Sequence, residues 1–228
     1  NDTDTMTISA ITDLNGIASS SIFTANAQLG TFSITASASG ASSADFSLHN
    51  IAWYVGATGD DSNSCSLPAS PCATINEAIN KTVSDGTILV EKGVYTGTGM
   101  EVMQINKNIS ILGGWDSTFT TQNGASIIDG QNVRGGITKD CAIARIDHFN
   151  VINSVSFGGI RNCGDLTITN SSIHHNATSD PYDGGGGITS TSGIVTLNNV
   201  TVSNNTASHY GGGIYLSLIH ISEPTRPY

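Results

Sequence analysis

One short motif recurs four times between residues 135 and 215, as Gly135-Gly-Ile137, Gly158-Gly-Ile160, Gly186-Gly-Ile188 and Gly212-Gly-Ile214. The copies are 23, 28 and 26 residues apart. Self-similarity at a period of about 20–50 residues is typical of proteins that stack one small structural unit on the next. The stretch therefore predicts a solenoid.

The residues between the motifs predict strands. Leu166-Thr-Ile168-Thr-Asn170 and Val195-Thr-Leu197-Asn-Asn199 alternate apolar and polar side chains, so that one set points inward and the other outward. Within the repeat, no stretch is long and periodic enough to predict a helix. Short strands joined by tight turns, repeated at this length, predict an all-β fold, a right-handed parallel β-helix with three faces per coil.

Three sets of aligned apolar residues are expected to form one inward ladder on each face. The first contains Ile137, Ile160, Ile188 and Ile214, the second Ile146, Ile168 and Leu197, and the third Val151, Ile173 and Val202. Two copies then end alike, as Ile173-His-His-Asn176 and Val202-Ser-Asn-Asn205. We interpret the two final asparagines as a stacked amide ladder at a corner of the coil.

The composition limits the classes of partner. Eight basic and eighteen acidic residues give a formal charge of −10, which disfavours nucleic acid because phosphate binding needs clustered Lys and Arg. The sequence has no run of 18 apolar residues, so no membrane-spanning segment is predicted. The chain begins inside a strand-like pattern, and we expect it to be a fragment of a longer protein.

Residues 1–50 predict a separate domain. Strands are expected at Ile17–Phe23, Phe32–Ala36 and Phe46–Leu48, with turns at 13–16 and 38–43. Strands at this spacing predict a β-sandwich. The run resembles the C-terminal half of a bacterial immunoglobulin-like domain of the kind found on invasin-type surface adhesins. That resemblance implies an extracellular module with its first strands missing.

Residues 53–82 are expected to cap a second domain, 51–215, whose coils fill 85–215. Thr74 can cap a helix that has Glu77 at the capping-box position and an apolar face formed by Ile75, Ala78 and Ile79. In the preceding loop, Cys65 and Cys72 suggest a local disulfide, with a zinc site as the competing interpretation. Asp60, Asp61 and Asn63 could bind Ca²⁺ through oxygen ligands, or they could form a solvated polar loop; no other cofactor is predicted.

The start of this domain resembles that of secreted bacterial β-helix proteins with a pectate-lyase-like fold. The resemblance is carried by Trp53-Tyr-Val-Gly56, Cys72-Ala-Thr-Ile-Asn-Glu-Ala-Ile79 and Asp85-Gly-Thr-Ile-Leu-Val90. Ile173-x-x-Asn176, Val202-x-x-Asn205 and the Gly-Gly-Ile motifs are similar to the repeats of polymorphic outer membrane proteins. The resemblance implies a secreted or cell-surface protein associated with the outer membrane.

Cys141 and Cys163 are 22 residues apart, as are Ile146 and Ile168. Each cysteine therefore precedes an aligned inward position on successive coils. Stacked strands lie about 4.8 Å apart, within the Cα range of a disulfide. The pair could form a staple between coils or remain as two packed thiols.

A catalytic constellation does not emerge from the acidic residues. Arg145 and Asp147 flank inward Ile146 and are weak candidates for catalysis, because the expected alternative is a solvated surface ion pair. His174 and His175 are adjacent and would face opposite sides of a strand; we expect them to be turn residues, with metal binding as the alternative. No carboxylate pair is aligned on successive coils for glycoside hydrolysis.

The favoured function is therefore a non-catalytic secreted or cell-surface β-helix protein that contacts a polysaccharide or a host glycan, as in adhesion. One alternative is a polysaccharide lyase or glycoside hydrolase whose site lies in coils outside this chain. The other alternative is a structural stalk. Residues 216–228 break the repeat and resemble a translated sequencing adapter, so they are set aside as a non-native tail.

Overall fold

The computed structural model of the chain describes residues 8–19, 30–179 and 184–217. Its contacts divide the chain into two units, 1–50 and 51–228. In the first unit, β1 (Gly30–Ala36) and β2 (Ala44–Asn50) form an antiparallel hairpin in which Ile34 is opposite Phe46. Asp13 closes the predicted turn before them by accepting the Gly16 N–H. Of the predicted strand 17–23, residues 17–19 are not strand and residues 20–23 lie outside the described residues.

The second unit consists of strands and one short helix, and the all-β prediction is confirmed. In chain order its elements are β3 (Ala52–Val55), α1 (Ile75–Lys81), β4 (Gly86–Glu91), β5 (Val94–Tyr95), β6 (Glu101–Ile105), β7 (Ile109–Trp115), β8 (Ser126–Asp129), β9 (Gly135–Lys139), β10 (Ala144–Asp147), β11 (Phe149–Ile152), β12 (Ile160–Asn162), β13 (Leu166–His174), β14 (Ala177–Thr178), β15 (Ile188–Ser190), β16 (Val195–Ser203), β17 (Thr206–Ala207) and β18 (Ile214–Leu216).

The long strands pair in parallel, and they form three series. The first series is β3-β4-β7-β10-β13-β16, and the second is β5-β8-β11 followed by the C-terminal halves of β13 and β16. The third series is the separate sheet β6-β9-β12-β15-β18. Because β13 and β16 each belong to two series, the first two series form one curled sheet.

The pairing registers contain all three predicted sets of aligned residues. Ile146 is the partner of Ile168, which is the partner of Leu197. The registers likewise align Val151 with Ile173 and Val202, and Ile137 with Ile160, Ile188 and Ile214. Most of these side chains belong to one apolar core that also takes in Ile88, Met103 and Ile111. Burial of aliphatic side chains at this density is the main stabilising term of the unit.

Two predicted core positions are exposed, which is a correction. Leu197 is 38% exposed and Ile214 is 41% exposed, although their partners Ile168 and Ile188 are fully buried. Both residues lie on strands that pair on one side only within the described residues, β16 with β13 and β18 with β15. The inward direction was predicted correctly, but a side chain at the last described layer has no following layer to cover it.

In three successive layers, two corners are formed by residues in the left-handed region of backbone conformation. His148, Asn170 and Asn199 occupy the first corner with φ of 59°, 47° and 53°. Asn153, His175 and Asn204 occupy the second corner with φ of 51°, 56° and 52°. Asn and His adopt this region more readily than most residues. The abundance of asparagine in the repeat therefore follows from its turns.

The predicted amide ladder is present behind the second corner. Asn176 Oδ1 accepts the Ser154 N–H at 3.0 Å and its Nδ2 donates to the Val151 carbonyl at 2.9 Å. One layer on, Asn205 Oδ1 accepts the Asn176 N–H at 3.0 Å and its Nδ2 donates to the Ile173 carbonyl at 2.8 Å. Each asparagine thus satisfies backbone groups that the bend removes from the strand ladder.

Helix α1 begins and ends close to its predicted bounds. Thr74 is the N-cap and accepts the Glu77 N–H at 3.2 Å, while Ile75, Ala78 and Ile79 are buried. This apolar face packs against β3, β4 and β6. At the other end of the unit, Leu216 pairs with Ser190 and the Ser217 N–H bonds to the Ser190 carbonyl. Residues 216 and 217 thus pair with β15, residues 218–228 lie outside the described residues, and the non-native tail stays a prediction.

Candidate functional site

The outward side chains of β10, β13 and β16 form two polar rows, which together we call the outer face. The first row is Arg145, Thr167 and Thr196, and the second is Asp147, Thr169 and Asn198. All except Asp147 are exposed or half-buried. Paired strands lie about 4.8 Å apart, so each row repeats a polar group at that spacing.

The carboxylate of Asp147 is the centre of a hydrogen-bonded cluster on this face. Its Oδ1 accepts from the Thr169 hydroxyl and from Asn170 Nδ2, the latter at 2.9 Å. Its Oδ2 accepts from Gln122 Nε2 at 3.2 Å, and Arg145 Nη2 lies 3.9 Å away. His148 Nδ1 is 3.0 Å from Oδ2, in a close contact rather than an aligned hydrogen bond. The two catalytic candidates, Arg145 and Asp147, therefore lie side by side on the outward side of β10.

The expected solvated ion pair is wrong for Asp147. Its side chain is 6% exposed, whereas that of Arg145 is 49% exposed. Burial alone would raise the pKa of the Asp147 carboxyl, but hydrogen bonds from Thr169 and Asn170 and the adjacent His148 imidazole outweigh burial and hold its pKa below the usual value. The group is therefore an ionised acceptor at neutral pH, and it is a poor proton donor.

Three members of the cluster were missed from the sequence. Gln122 comes from the loop after β7, Asn170 comes from the next layer, and His148 follows Asp147 at the first corner. Of these features, the sequence could indicate only the bends at His148 and Asn170, since Asn and His are enriched at positions of positive φ. The approach of Gln122 depends on how its loop folds back.

An apolar cover bounds the outer face on the side of β3, β4 and β7. Phe119 packs on Tyr54 with ring centroids 5.0 Å apart, and Phe119 belongs to one apolar cluster with Leu89 and Ala52. Burial raises the pKa of Tyr54. The Asp116 carboxylate holds this loop by accepting the Thr118 and Thr120 N–H groups, each at 3.1 Å. The polar face is therefore open at β10, β13 and β16 and closed beside them.

The predicted calcium loop uses its oxygens internally. Asp60 Oδ1 accepts the Ser62 N–H at 2.8 Å, and Asp61 Oδ1 accepts the Ala73 and Thr74 N–H groups, each at 2.9 Å. The side chain of Asn63 donates to the Pro71 carbonyl. The Lys81 ammonium donates to the carbonyl oxygens of Asp61 and Asn63, from the last turn of α1. The Lys81 ammonium therefore occupies the two carbonyl oxygens that a bound cation would use as ligands.

Replacing Lys81 with methionine is expected to lower the free energy of unfolding by about 1–2 kcal/mol, because two carbonyls lose their charged donor. Chemical denaturation of the intact chain measures the loss, and Lys92→Met, at an exposed lysine, is the control. Thermal unfolding of the wild type with millimolar Ca²⁺ should give an unchanged midpoint. A midpoint that rises with Ca²⁺ would show that the ion displaces Lys81.

All four cysteines are paired in the structure. Cys65 is bonded to Cys72 with Cα atoms 5.1 Å apart, and Cys141 is bonded to Cys163 with Cα atoms 4.4 Å apart. The first bond closes the loop before α1, and the second joins the corners of successive layers. The arrangement is that of two disulfides, not of a zinc site or packed thiols.

A buried lysine beside the second disulfide was also missed. Lys139 is 2% exposed and its ammonium donates to the carbonyls of Asp140, Ala142 and Cys163. Burial lowers the pKa of Lys139, and the negative charges of Asp165 and Asp140 offset part of that effect. The pattern does place it inward, two residues after Ile137, but a charged side chain there is stable only because the corner turns three carbonyls toward it.

The comparisons with known proteins show no family. No protein-family model and no curated protein matches the chain. Among solved structures, the chain is similar to a rhamnogalacturonan lyase, at 13% sequence identity and a TM-score of 0.32. The similarity covers 74% of this chain and 65% of that chain, so the chain spans less than two thirds of its length. In the described residues, no helix is long and apolar enough to cross a membrane.

Proposed function

We propose that residues 51–215 form a right-handed parallel β-helix capped by α1, and that its outer face contacts a polysaccharide or a surface glycan without cleaving it. The three parallel series support this fold, since β4 to β12 enter the first, second and third series in turn, and β13 and β16 each serve the first two. Right-handed connections between parallel strands of one sheet are strongly preferred.

The observation that carries the proposed function is the repetition of exposed polar groups on the outer face. Thr167, Thr196 and Asn198 present hydroxyl and amide groups in register, with the exposed Arg145 guanidinium at one end. A polysaccharide presents hydroxyl groups along its length, and hydroxyl and amide side chains can both donate to and accept from them. A flat row of such groups suits an extended polymer better than a small ligand.

The state of Asp147 favours binding over chemistry. Its two oxygens already accept hydrogen bonds from three side chains, and its lowered pKa keeps it ionised. General acid catalysis needs a carboxyl whose pKa is raised toward the working pH. The cluster therefore acts in this proposal as a rigid support for Arg145 and Thr169.

The two disulfides support an extracellular location. Disulfides persist in oxidising compartments, so we infer a secreted or cell-surface protein, in association with an outer membrane. The antiparallel hairpin of residues 30–50 is compatible with the end of an immunoglobulin-like domain.

Retention on immobilised polysaccharides tests the binding function. We expect the chain to be retained by at least one neutral or acidic polymer in a panel, and Arg145→Ala combined with Thr167→Val to weaken retention about tenfold or more. Thr138→Val, at an outward position of the third series, is the matched control and should bind as the wild type does. Retention that survives the double change would place the contact elsewhere, and no retention on any polymer would leave the structural stalk.

A catalytic alternative rests on one contact. His148 Nδ1 lies 3.0 Å from the Asp147 carboxylate, an arrangement that can orient an imidazole as a general base for a lyase or hydrolase. Incubation with the same polymers, followed by mass spectrometry, separates the two functions. Shortened products that disappear in His148→Ala would replace the binding proposal, while intact polymers support it.

A further inference from the structure

Two adjacent histidines converge at the second corner of the layer formed by β13. His174 ends the strand and His175 adopts a left-handed backbone conformation with φ of 56°. The bend turns the side chain of His175 back toward its neighbour, so that the two Nδ1 atoms are 2.7 Å apart and the rings are inclined by 81°. Adjacent side chains on a regular strand would face opposite sides, but here the strand ends at His174 and His175 lies in the bend.

The hydrogen-bonded separation of the two nitrogens is also close to the ligand spacing of one coordination geometry. With metal–nitrogen bonds of about 2.0 Å, neighbouring ligands of a square-planar ion lie about 2.8 Å apart, whereas those of a tetrahedral ion lie about 3.3 Å apart. We propose that His174 and His175 form a bidentate surface site for a square-planar divalent ion, Cu²⁺ in preference to Ni²⁺. The order of affinities among divalent ions also favours Cu²⁺.

One hydrogen bond joins the two rings of the metal-free pair, and an ion bound to both Nδ1 atoms would replace it. At 2.7 Å one Nδ1–H donates to the other Nδ1, so the donor ring must move its proton to Nε2 before both Nδ1 atoms can bind. Within the described residues, no group of three His, Cys, Asp or Glu side chains is positioned to hold a metal, so the remaining positions would be filled by solvent or an external ligand.

The fold does not require histidine at this corner. The same two positions are Ile152 and Asn153 in the preceding layer and Ser203 and Asn204 in the following layer. The φ of Asn153 and Asn204 is within a few degrees of that of His175. A pair of imidazoles therefore adds ligand atoms to a corner that Asn forms equally well, and the neighbouring layer supplies a control that preserves the backbone.

The test is a Cu²⁺ titration of tag-free chain by calorimetry, with paramagnetic resonance spectra of the bound ion. The variant His174→Ser with His175→Asn converts the corner to Ser-Asn-Asn, the sequence of residues 203–205. We expect the wild type to bind one Cu²⁺ with two nitrogen ligands, and the variant to lose both the nitrogen signature and at least about tenfold in affinity, since loss of an outer-shell partner alone costs about 10–100-fold.

Two results would overturn the proposal. One is a wild type that binds no Cu²⁺. The other is a variant that retains the wild-type affinity and spectrum, which would place the ion at another group, such as His148 or His209. An unchanged unfolding midpoint of the metal-free variant shows that its loss of binding does not come from a damaged fold. Because the outer face is intact in this variant, we expect its polysaccharide retention to be unaffected. A failure of the Cu²⁺ proposal can therefore be told apart from a failure of the proposed polysaccharide binding.

Discussion

Replacing Asp147 with asparagine is expected to lower the free energy of unfolding by about 3 kcal/mol at neutral pH. The carboxylate accepts from donors on both oxygens, with Gln122 and His148 beside Oδ2 and Thr169 and Asn170 beside Oδ1. An asparagine must present an NH₂ group to one of these sides. Two donors then face each other at the buried position of residue 147, so the amide is fully paired only if a neighbouring side chain reorients.

The same change should flatten the dependence of stability on acid. Because the folded-state pKa of Asp147 lies below its ordinary value of 3.8, the carboxylate stabilises the fold above that value, and the contribution is lost as the pH falls through the folded-state pKa. Denaturant titrations at neutral pH and at several acidic pH values measure both effects. Asp85→Asn is the control, since Asp85 is exposed and has a φ of 63° that asparagine tolerates. Equal losses in the two variants would show that the cluster adds no stability.

The alternation and period of the repeat were sufficient to predict which residues stack. Ile146, Ile168 and Leu197 were aligned from spacing alone, and the pairing registers contain the same alignment. This works because a strand has a side-chain period of two, so one aligned residue sets the direction of its neighbours. The third series begins earlier than the motif indicates, at Met103 in β6, because that layer lacks the Gly-Gly-Ile signature.

The candidate site was predictable in direction but not in burial. Alternation places Asp147 on the outward side, and it is there, yet Gln122 and Asn170 remove it from solvent. These partners are 25 residues before it and 23 residues after it. Contacts of this kind form only once a loop has folded back and the next layer has been added. The contacts of the loop at 60–63 could not be predicted for a similar reason, because Lys81 reaches the loop from the far end of α1.

Replacing Lys139 with methionine is expected to cost about 3–4 kcal/mol of unfolding free energy, the largest effect among the substitutions considered. The Asp140 carbonyl keeps a second donor, the Ala142 N–H at 2.6 Å. The carbonyls of Ala142 and Cys163 have the ammonium as their donor, and each buried carbonyl left unpaired costs about 1–3 kcal/mol. Methionine fills the volume of the lysine stem, so the loss of unfolding free energy measures the unpaired carbonyls rather than the creation of a cavity.

The alkaline pH dependence distinguishes this role from simple packing. Burial lowers the pKa of Lys139 below the ordinary 10.5, so between the folded and unfolded pKa values the unfolded chain binds more protons and the wild type gains stability as the pH rises. Lys139→Met should be less stable than the wild type at neutral pH, and its stability should no longer rise with pH in this range. The exposed Lys92→Met should change neither quantity by more than about 0.5 kcal/mol. If Lys139→Met proved as stable as this control, the three carbonyls would have other donors, and the ammonium would not be what holds the corner beside Cys141 and Cys163.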